Sequence, residues 1–293
     1  TIGKVVDDFK RVLPDADIYV YDNNSKDDTA AIAEDHGAIV RTEPRQGKGN
    51  VVRQMFREID ADYYIMVDGD DTYPAEAAPR LLEPLMNDTA DMTVGDRLSN
   101  GTYGEENDRA FHGFGNNLVR WLIKVIYGYA FDDVMTGYRA FNRIFVKTMP
   151  VLSEGFQIET ELSIHAVDKR FRITDVPIDY RDRPEGSYSK LSTFGDGAKV
   201  LRAIASLFKD HKPMAFFGWL ALILIVLGLI AGIPVIAEYF HTAILAIALV
   251  ICGALSFTAG IILDTVAKTG RKQWELFTYQ AYEEAQRHQE EES

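Results

Sequence analysis

The chain has 293 residues and a formal net charge of −13, room for one sizeable domain plus an appendage and the wrong sign for a broad nucleic-acid footprint. Its one cysteine, Cys252, excludes an intrachain disulfide framework and a cysteine-built metal site. The six histidines are scattered without metal-ligand spacing, which argues against zinc.

Residues 1–13 carry Ile2, Val5, Val6, Phe9, Val12 and Leu13 at helical spacing and predict an amphipathic helix. A short strand over 17–21 runs into the polar loop DNNSKDDT of 22–29, and a helix over 28–36 stops at Gly37. A strand over 38–41 follows, and RQGKGN of 45–50 leads into a helix ending near 59. The apolar run 63–67 ends in Asp68, Asp70 and Asp71, followed by a helix over 74–86 and a strand over 91–95. This alternation predicts an α/β domain with a doubly wound, mostly parallel, Rossmann-like sheet.

Beyond Asp96, residues 111–129 are rich in aromatic and aliphatic side chains and predict a helix lying on the core or on a membrane face. A turn and strand over 132–141, a helix over 157–169 and a strand over 172–180 lead to a basic loop at 181–191. These close a catalytic domain of residues 1–192, and 193–212 reads as an amphipathic interfacial helix. Neither 213–237 nor 242–263 holds a charged residue, and each exceeds the roughly 20 residues that cross a bilayer core. Two buried helices of a soluble core are the alternative. Lys209 and Lys212 precede this hairpin of 213–265, and Lys268, Arg271 and Lys272 follow it. The positive-inside rule then places the catalytic domain and the tail of 266–293 in the cytoplasm, in an integral protein of the plasma or inner membrane.

A strand over 63–67 delivers Asp68 and Asp70 to the carboxyl edge of the sheet, where open α/β folds bind ligands. Two places apart, both carboxylates can face one hard cation, Mg²⁺ or Mn²⁺, which would hold a diphosphate. A polar turn with a capping aspartate is the better explanation of the pair when it stands alone. It does not stand alone. Asp22 closes the first strand, Lys48 sits between Gly47 and Gly49 at a helix start that favours anions, and Arg181 and Arg183 lie in the later loop. Together these groups describe a nucleotide-diphosphate site.

The segments VYDNNSKDDT of 20–29, QGKGN of 46–50 and VDGDD of 67–71 resemble the GT-A glycosyltransferases of family 2. DVMTGYR of 133–139 and RPEGSYSKL of 183–191 resemble, more narrowly, the polyprenyl-phosphate branch that includes dolichol-phosphate mannose synthase. The resemblance covers about residues 1–210 and extends to the two-helix anchor. It implies inverting transfer of one sugar from a nucleotide-sugar, a UDP-sugar by preference, to a polyprenyl phosphate at the cytoplasmic leaflet, for cell-envelope glycan or protein glycosylation. Asp22, Asn24, Lys48, Asp68 and Arg97 would then bind the nucleotide-sugar, and Asp68 and Asp70 the metal. Arg139, Arg183, Ser189 and Lys190 would hold the acceptor phosphate, with Asp133 and Glu159 also in the catalytic group. Glu159 and Glu161 match a family segment facing the active site; a helical spacing of two puts them on different faces, so at most one points inward.

Three departures from the pattern stand out. Thr72 occupies a position where some relatives place a metal-completing glutamine, and Gly137 one where some place an aspartate. The family's first strand, whose loop clasps the base, would precede Thr1, so the nucleotide site is expected to lack a wall. Two competing readings remain: a family 2 transferase that extends a glycan or polysaccharide, and a non-catalytic membrane scaffold. Neither a Gln-x-x-Arg-Trp segment nor further spans favour the first, and the intact Asp68/Asp70 pair weighs against the second. The oligomeric state is open, with dimers and tetramers both fitting such an anchor.

Overall fold

The computed structural model describes residues 1–99, 110–181, 212–232 and 240–292, together with 202, 204–206, 208 and 209. It divides into two compact units, 1–203 with 281–293 and 204–280.

In the first unit α1 (Ile2–Val12) precedes β1 (Tyr19–Asp22), α2 (Thr29–Asp35), β2 (Ile39–Thr42), α3 (Lys48–Glu58) and β3 (Tyr63–Met66). A 3₁₀ turn at Ala75–Ala77 then leads into α4 (Ala78–Met86), β4 (Met92–Asp96) and α5 (Ala110–Tyr127). β5 (Arg139–Asn142), α6 (Arg143–Thr148), α7 (Ile158–Asp168) and β6 (Ile173–Pro177) complete it. The expected alternation is present, with shorter strands. α6 has no counterpart among the expected elements. It starts where the Asn142 side chain accepts a hydrogen bond from the Phe145 amide at 2.9 Å, an N-cap one residue past the expected strand of 132–141.

β1 and β2 pair in parallel, and a second sheet runs in the order β3-β5-β4-β6. β4 and β6 are parallel, whereas β5 runs against both its neighbours. The sheet is therefore mixed, because the chain between β4 and β5 returns to the edge it left. Its consequence is register: Arg139, first in β5, lies opposite Met66 of β3 and Val94 of β4. The turn before Arg139 thus shares an edge with the residues that follow β3 and β4.

α1 serves both sheets. Val5 and Phe9 pack in a cluster with Tyr73, Leu81, Tyr138 and Ile178, and Phe9 meets the Tyr138 ring edge-on at 6.2 Å. Val6, one step round the helix, packs with Ala33 and Ala38. Each such buried side chain contributes about 1.5–3 kcal/mol.

The second unit is built on α8 (Pro213–Gly232) and α9 (Phe240–Glu292). Pro213–Ile230 and Ile247–Gly270 are long and apolar enough to cross a membrane. α9 already includes Phe240 and His241, expected in the loop, and it continues unbroken from the apolar stretch into the charged tail. Gly253 and Gly260, one heptad apart and buried, let the helices approach: a Cβ would stand 2.6 Å from Ile225 Cγ1 at the first and 2.9 Å from Phe217 Cβ at the second.

Candidate active site

Asp68 leaves the end of β3 and meets Lys48, first residue of α3, whose Nζ donates to Asp68 Oδ1 at 2.5 Å. The same ammonium lies 2.7 Å from Oε1 of Glu159 on α7. Burial alone would lower the Lys48 pKa, but the two carboxylates outweigh it and hold the pKa above its usual 10.5. Gly137 closes this cluster from β5's side: a Cβ there would stand 2.6 Å from Asp68 Oδ2 and 2.8 Å from Lys48 Nζ. An aspartate at Gly137 has no room in this arrangement. Of the two glutamates on α7, Glu159 points to Lys48 and Glu161 accepts from the Leu152 and Ser153 amides at 2.8 Å each.

The glycine turn departs from its expectation. The amides of Gly49 and Asn50 donate to the Glu154 carbonyl at 3.0 and 3.3 Å, so the start of α3 faces protein backbone rather than an open anion site. Gly47 has φ +129°, and a Cβ on Gly47 or Gly49 would overlap the backbone of Ser153 and Glu154. Arg53 fixes the same strap by donating to the carbonyls of Val151, Leu152 and Ser153 at 2.8–3.3 Å. Its position in the middle of α3 carries no sequence signal for that role.

Asp70 accepts from the Thr72 hydroxyl at 2.6 Å, so Thr72 orients the carboxylate it follows. Asp71, at φ +60°, accepts from Lys4 of α1 at 2.8 Å and from Arg181 at 3.4 Å. Arg181 also reaches Glu76 at 3.2 Å, and its amide donates to the Thr72 carbonyl at 2.9 Å. The root of the basic loop is therefore tied to the aspartate turn. Arg183, Ser189 and Lys190 lie outside the described residues, as does most of 193–212.

Further along the edge, Arg97 and Asp133 form a buried bidentate pair at 2.6 and 3.1 Å. The Arg97 guanidinium also lies over the Tyr180 ring, 5.4 Å from its centroid. Tyr73, buried and with its hydroxyl pushed up to about 12 by desolvation, accepts from the Gly137 amide at 3.0 Å and Arg97 at 3.4 Å. Asp133, expected in the catalytic group, is thus held as Arg97's counterion. Arg139 was expected at the acceptor phosphate. Fully buried, it donates to the carbonyls of Thr136 and Val134 at 3.1 and 2.6 Å and shapes the turn before β5. Burial pushes its pKa down to about 10.

Asp22 accepts from the Ser25 amide at 3.2 Å, and Asn24 donates to the Pro44 carbonyl at 2.9 Å. Between them Asn23, absent from the expected site, donates to the Glu43 and Arg45 carbonyls and accepts from the Gly47 amide at 2.8 Å. It links the loop after β1 to the glycine turn.

For a divalent cation, the available donors are the hard carboxylates of Asp68 and Asp70. No third His, Cys, Asp or Glu joins them as a ready cage among the described residues. Two carboxylates suit Mg²⁺ or Mn²⁺ that keeps water and takes phosphate oxygens as remaining ligands.

A family model described as glycosyl transferase family 2 matches residues 1–147. The chain is 31% identical over 281 residues to glycosyltransferase AglJ of Haloferax volcanii, covering 93% of this chain and 91% of that one. A dolichyl-phosphate hexose transferase of the same organism is 32% identical over 211 residues, 72% and 90% of the two chains. Glucosyl-3-phosphoglycerate synthase from Mycobacterium tuberculosis, in complex with uridine-diphosphate, aligns at TM-score 0.58 and 20% identity over 71% of this chain and 75% of that one. Its complex with Mn²⁺, uridine-diphosphate and glucosyl-3-phosphoglycerate aligns at 0.56, 20% identity, 72% and 75%. At that identity the likeness is one of fold.

Proposed function

The chain belongs to glycosyl transferase family 2, and from that we propose that it moves one sugar from a nucleotide-sugar, a UDP-sugar by preference, to the phosphate of a polyprenyl lipid. The observation that carries this reading is one sheet edge holding Asp68, Asp70, Lys48 and Glu159, with the root of a basic loop tied beside them through Arg181. The relative named as a dolichyl-phosphate hexose transferase supports the lipid-phosphate acceptor. The uridine-diphosphate and Mn²⁺ complexes of the fold's neighbours support the donor and the metal.

In this reading Asp68 and Asp70 would hold Mg²⁺ or Mn²⁺, which would supply positive charge against the leaving diphosphate. Lys48 adds a second positive charge at the same edge, and Asp22 and Asn24 line the nucleoside side. Arg183, Ser189 and Lys190 hold the acceptor phosphate, a geometry that suits guanidinium and ammonium donors. A phosphomonoester, with a second pKa near about 6, is already largely ionised at neutral pH. The transfer then calls for positioning and charge compensation rather than for a general base, in keeping with both glutamates of α7 being already partnered, Glu159 with Lys48 and Glu161 with backbone amides. In this reading α8 and α9, long and apolar enough to cross a membrane, anchor the chain, and the Lys and Arg flanking them support a cytoplasmic catalytic domain.

The test is the detergent-purified chain with Mn²⁺, a short polyprenyl phosphate and a panel of UDP- and GDP-sugars, read by mass spectrometry. One donor should give a lipid phosphate heavier by one sugar, and Asp70→Ala should abolish it. Product formed equally by Asp70→Ala would remove the metal-binding role.

A further inference from the structure

We propose that Lys48 is a built-in counter-cation that competes with the divalent metal for Asp68, and that it yields the carboxylate when a diphosphate is there to take its charge. The inference rests on the metal and diphosphate roles proposed above. Its basis is the cluster itself: one ammonium held by two carboxylates, at 2.5 Å from Asp68 and 2.7 Å from Glu159. The partners are unequal. The Glu159 side chain is 7% exposed and fixed on α7, whereas that of Asp68 is 35% exposed at the end of a strand. Glu159 therefore serves as the permanent holder of Lys48 and Asp68 as the exchangeable one.

A cation arriving at Asp68 meets an oxygen already neutralised by an ammonium and a like charge beside it, so metal binding alone is weakened. A bound diphosphate offers Lys48 a new anionic partner at the same edge. Asp68 then turns its charge to the metal while Glu159 keeps the lysine in place. Metal and diphosphate thereby favour each other beyond their direct contact, a reciprocal coupling of the kind that links two ligands through one shared group. Glu159 acts through Lys48 and is a positioning residue. Gly137 belongs to the same device, since any side chain there would push the lysine and aspartate apart.

The test measures free Mn²⁺ by electron paramagnetic resonance over the full chain in detergent, with and without UDP. Without UDP, Lys48→Met should bind Mn²⁺ at least about fivefold more tightly than the unaltered chain, within the usual range of such couplings. UDP should then tighten Mn²⁺ binding less in Lys48→Met than in the unaltered chain. Lys48→Arg, which keeps the charge, should stay near the unaltered value. If Lys48→Met fails to fold, as judged by its melting curve, Glu159→Gln takes its place. That change leaves Lys48 to Asp68 and should weaken Mn²⁺ binding without UDP. Unchanged or weaker Mn²⁺ binding in a folded Lys48→Met, or tighter binding in Glu159→Gln, overturns the proposal. Asp70→Asn separates the two levels: if it leaves Mn²⁺ binding untouched, the metal assignment itself falls and takes this inference with it.

Discussion

Gly137 shows how much of the site depends on a side chain that is not there. Gly137→Ala would put a methyl 2.6 Å from Asp68 Oδ2 and 2.8 Å from Lys48 Nζ, so one of the two must move. Displacement of about 1 Å at a reacting centre costs on the order of a hundredfold in rate. The expected outcome is a comparable loss of sugar transfer with the fold retained, and a rate within the error of the unaltered chain would contradict the geometry. Asp175 of β6 is a different case. Its Oδ1 is buried with no hydrogen-bond partner among the described residues, and burial, aided by Asp132 and opposed by Arg139, raises its pKa to about 6. The folded pKa exceeds the unfolded value of 3.8, so the folded state keeps this proton longer. Stability from the group is present below about pH 4 and is lost as pH rises through 6, by about 1–2 kcal/mol once solvent screening is allowed for. Asp175→Asn should therefore raise the melting temperature at pH 8 and leave it unchanged near pH 4; equal shifts at both pH values would refute this. Asp68, Asp70 and Lys48 drew attention because strand ends and a glycine turn announce themselves in the sequence, and the structure brings Asp68 and Lys48 into contact. The Arg97–Asp133 pair was not, since nothing local says that residues 36 apart will meet in the interior. Arg139 was expected at the acceptor phosphate because a guanidinium suits phosphate by type, and only the structure shows it buried against backbone carbonyls.

Among the elements, α1 and the expected strand–helix alternation follow from periodicity, whereas direction does not. Nothing in the composition of Arg139–Asn142 distinguishes a strand running with its neighbours from one running against them. That choice is made by the long connection from β4, and it places the 133–138 turn over the aspartates. The strap of 151–154 over α3 was equally hidden, because the side chains that hold it, Arg53 and Glu161, sit within helices and carry no local signal of that role. The glycines of α9 give a sharper test of an element. Gly253→Leu would drive a side chain into Ile225 and the Ala221 carbonyl, whereas Gly270 has nothing within 4 Å among the described residues. Overpacking of this kind costs about 1–3 kcal/mol. Gly253→Leu should lower the melting temperature in detergent and Gly270→Leu should not; equal behaviour of the two would refute close packing of α8 on α9.

At the scale of the whole molecule, a family 2 transferase domain and two helices able to cross a membrane stand in one chain. That combination fits a water-soluble donor and an acceptor confined to lipid better than it fits a soluble acceptor. The proposed reaction differs from the lengthening of a glycan, because the bond made would be between sugar and phosphate rather than between two sugars. The most direct measurement is ³¹P NMR of the product formed from the productive nucleotide-sugar and a polyprenyl phosphate. Conversion of the lipid's phosphomonoester signal to a phosphodiester bearing one sugar is the predicted result. A sugar–sugar linkage on an unaltered lipid phosphate, or growth beyond one sugar, would contradict the account.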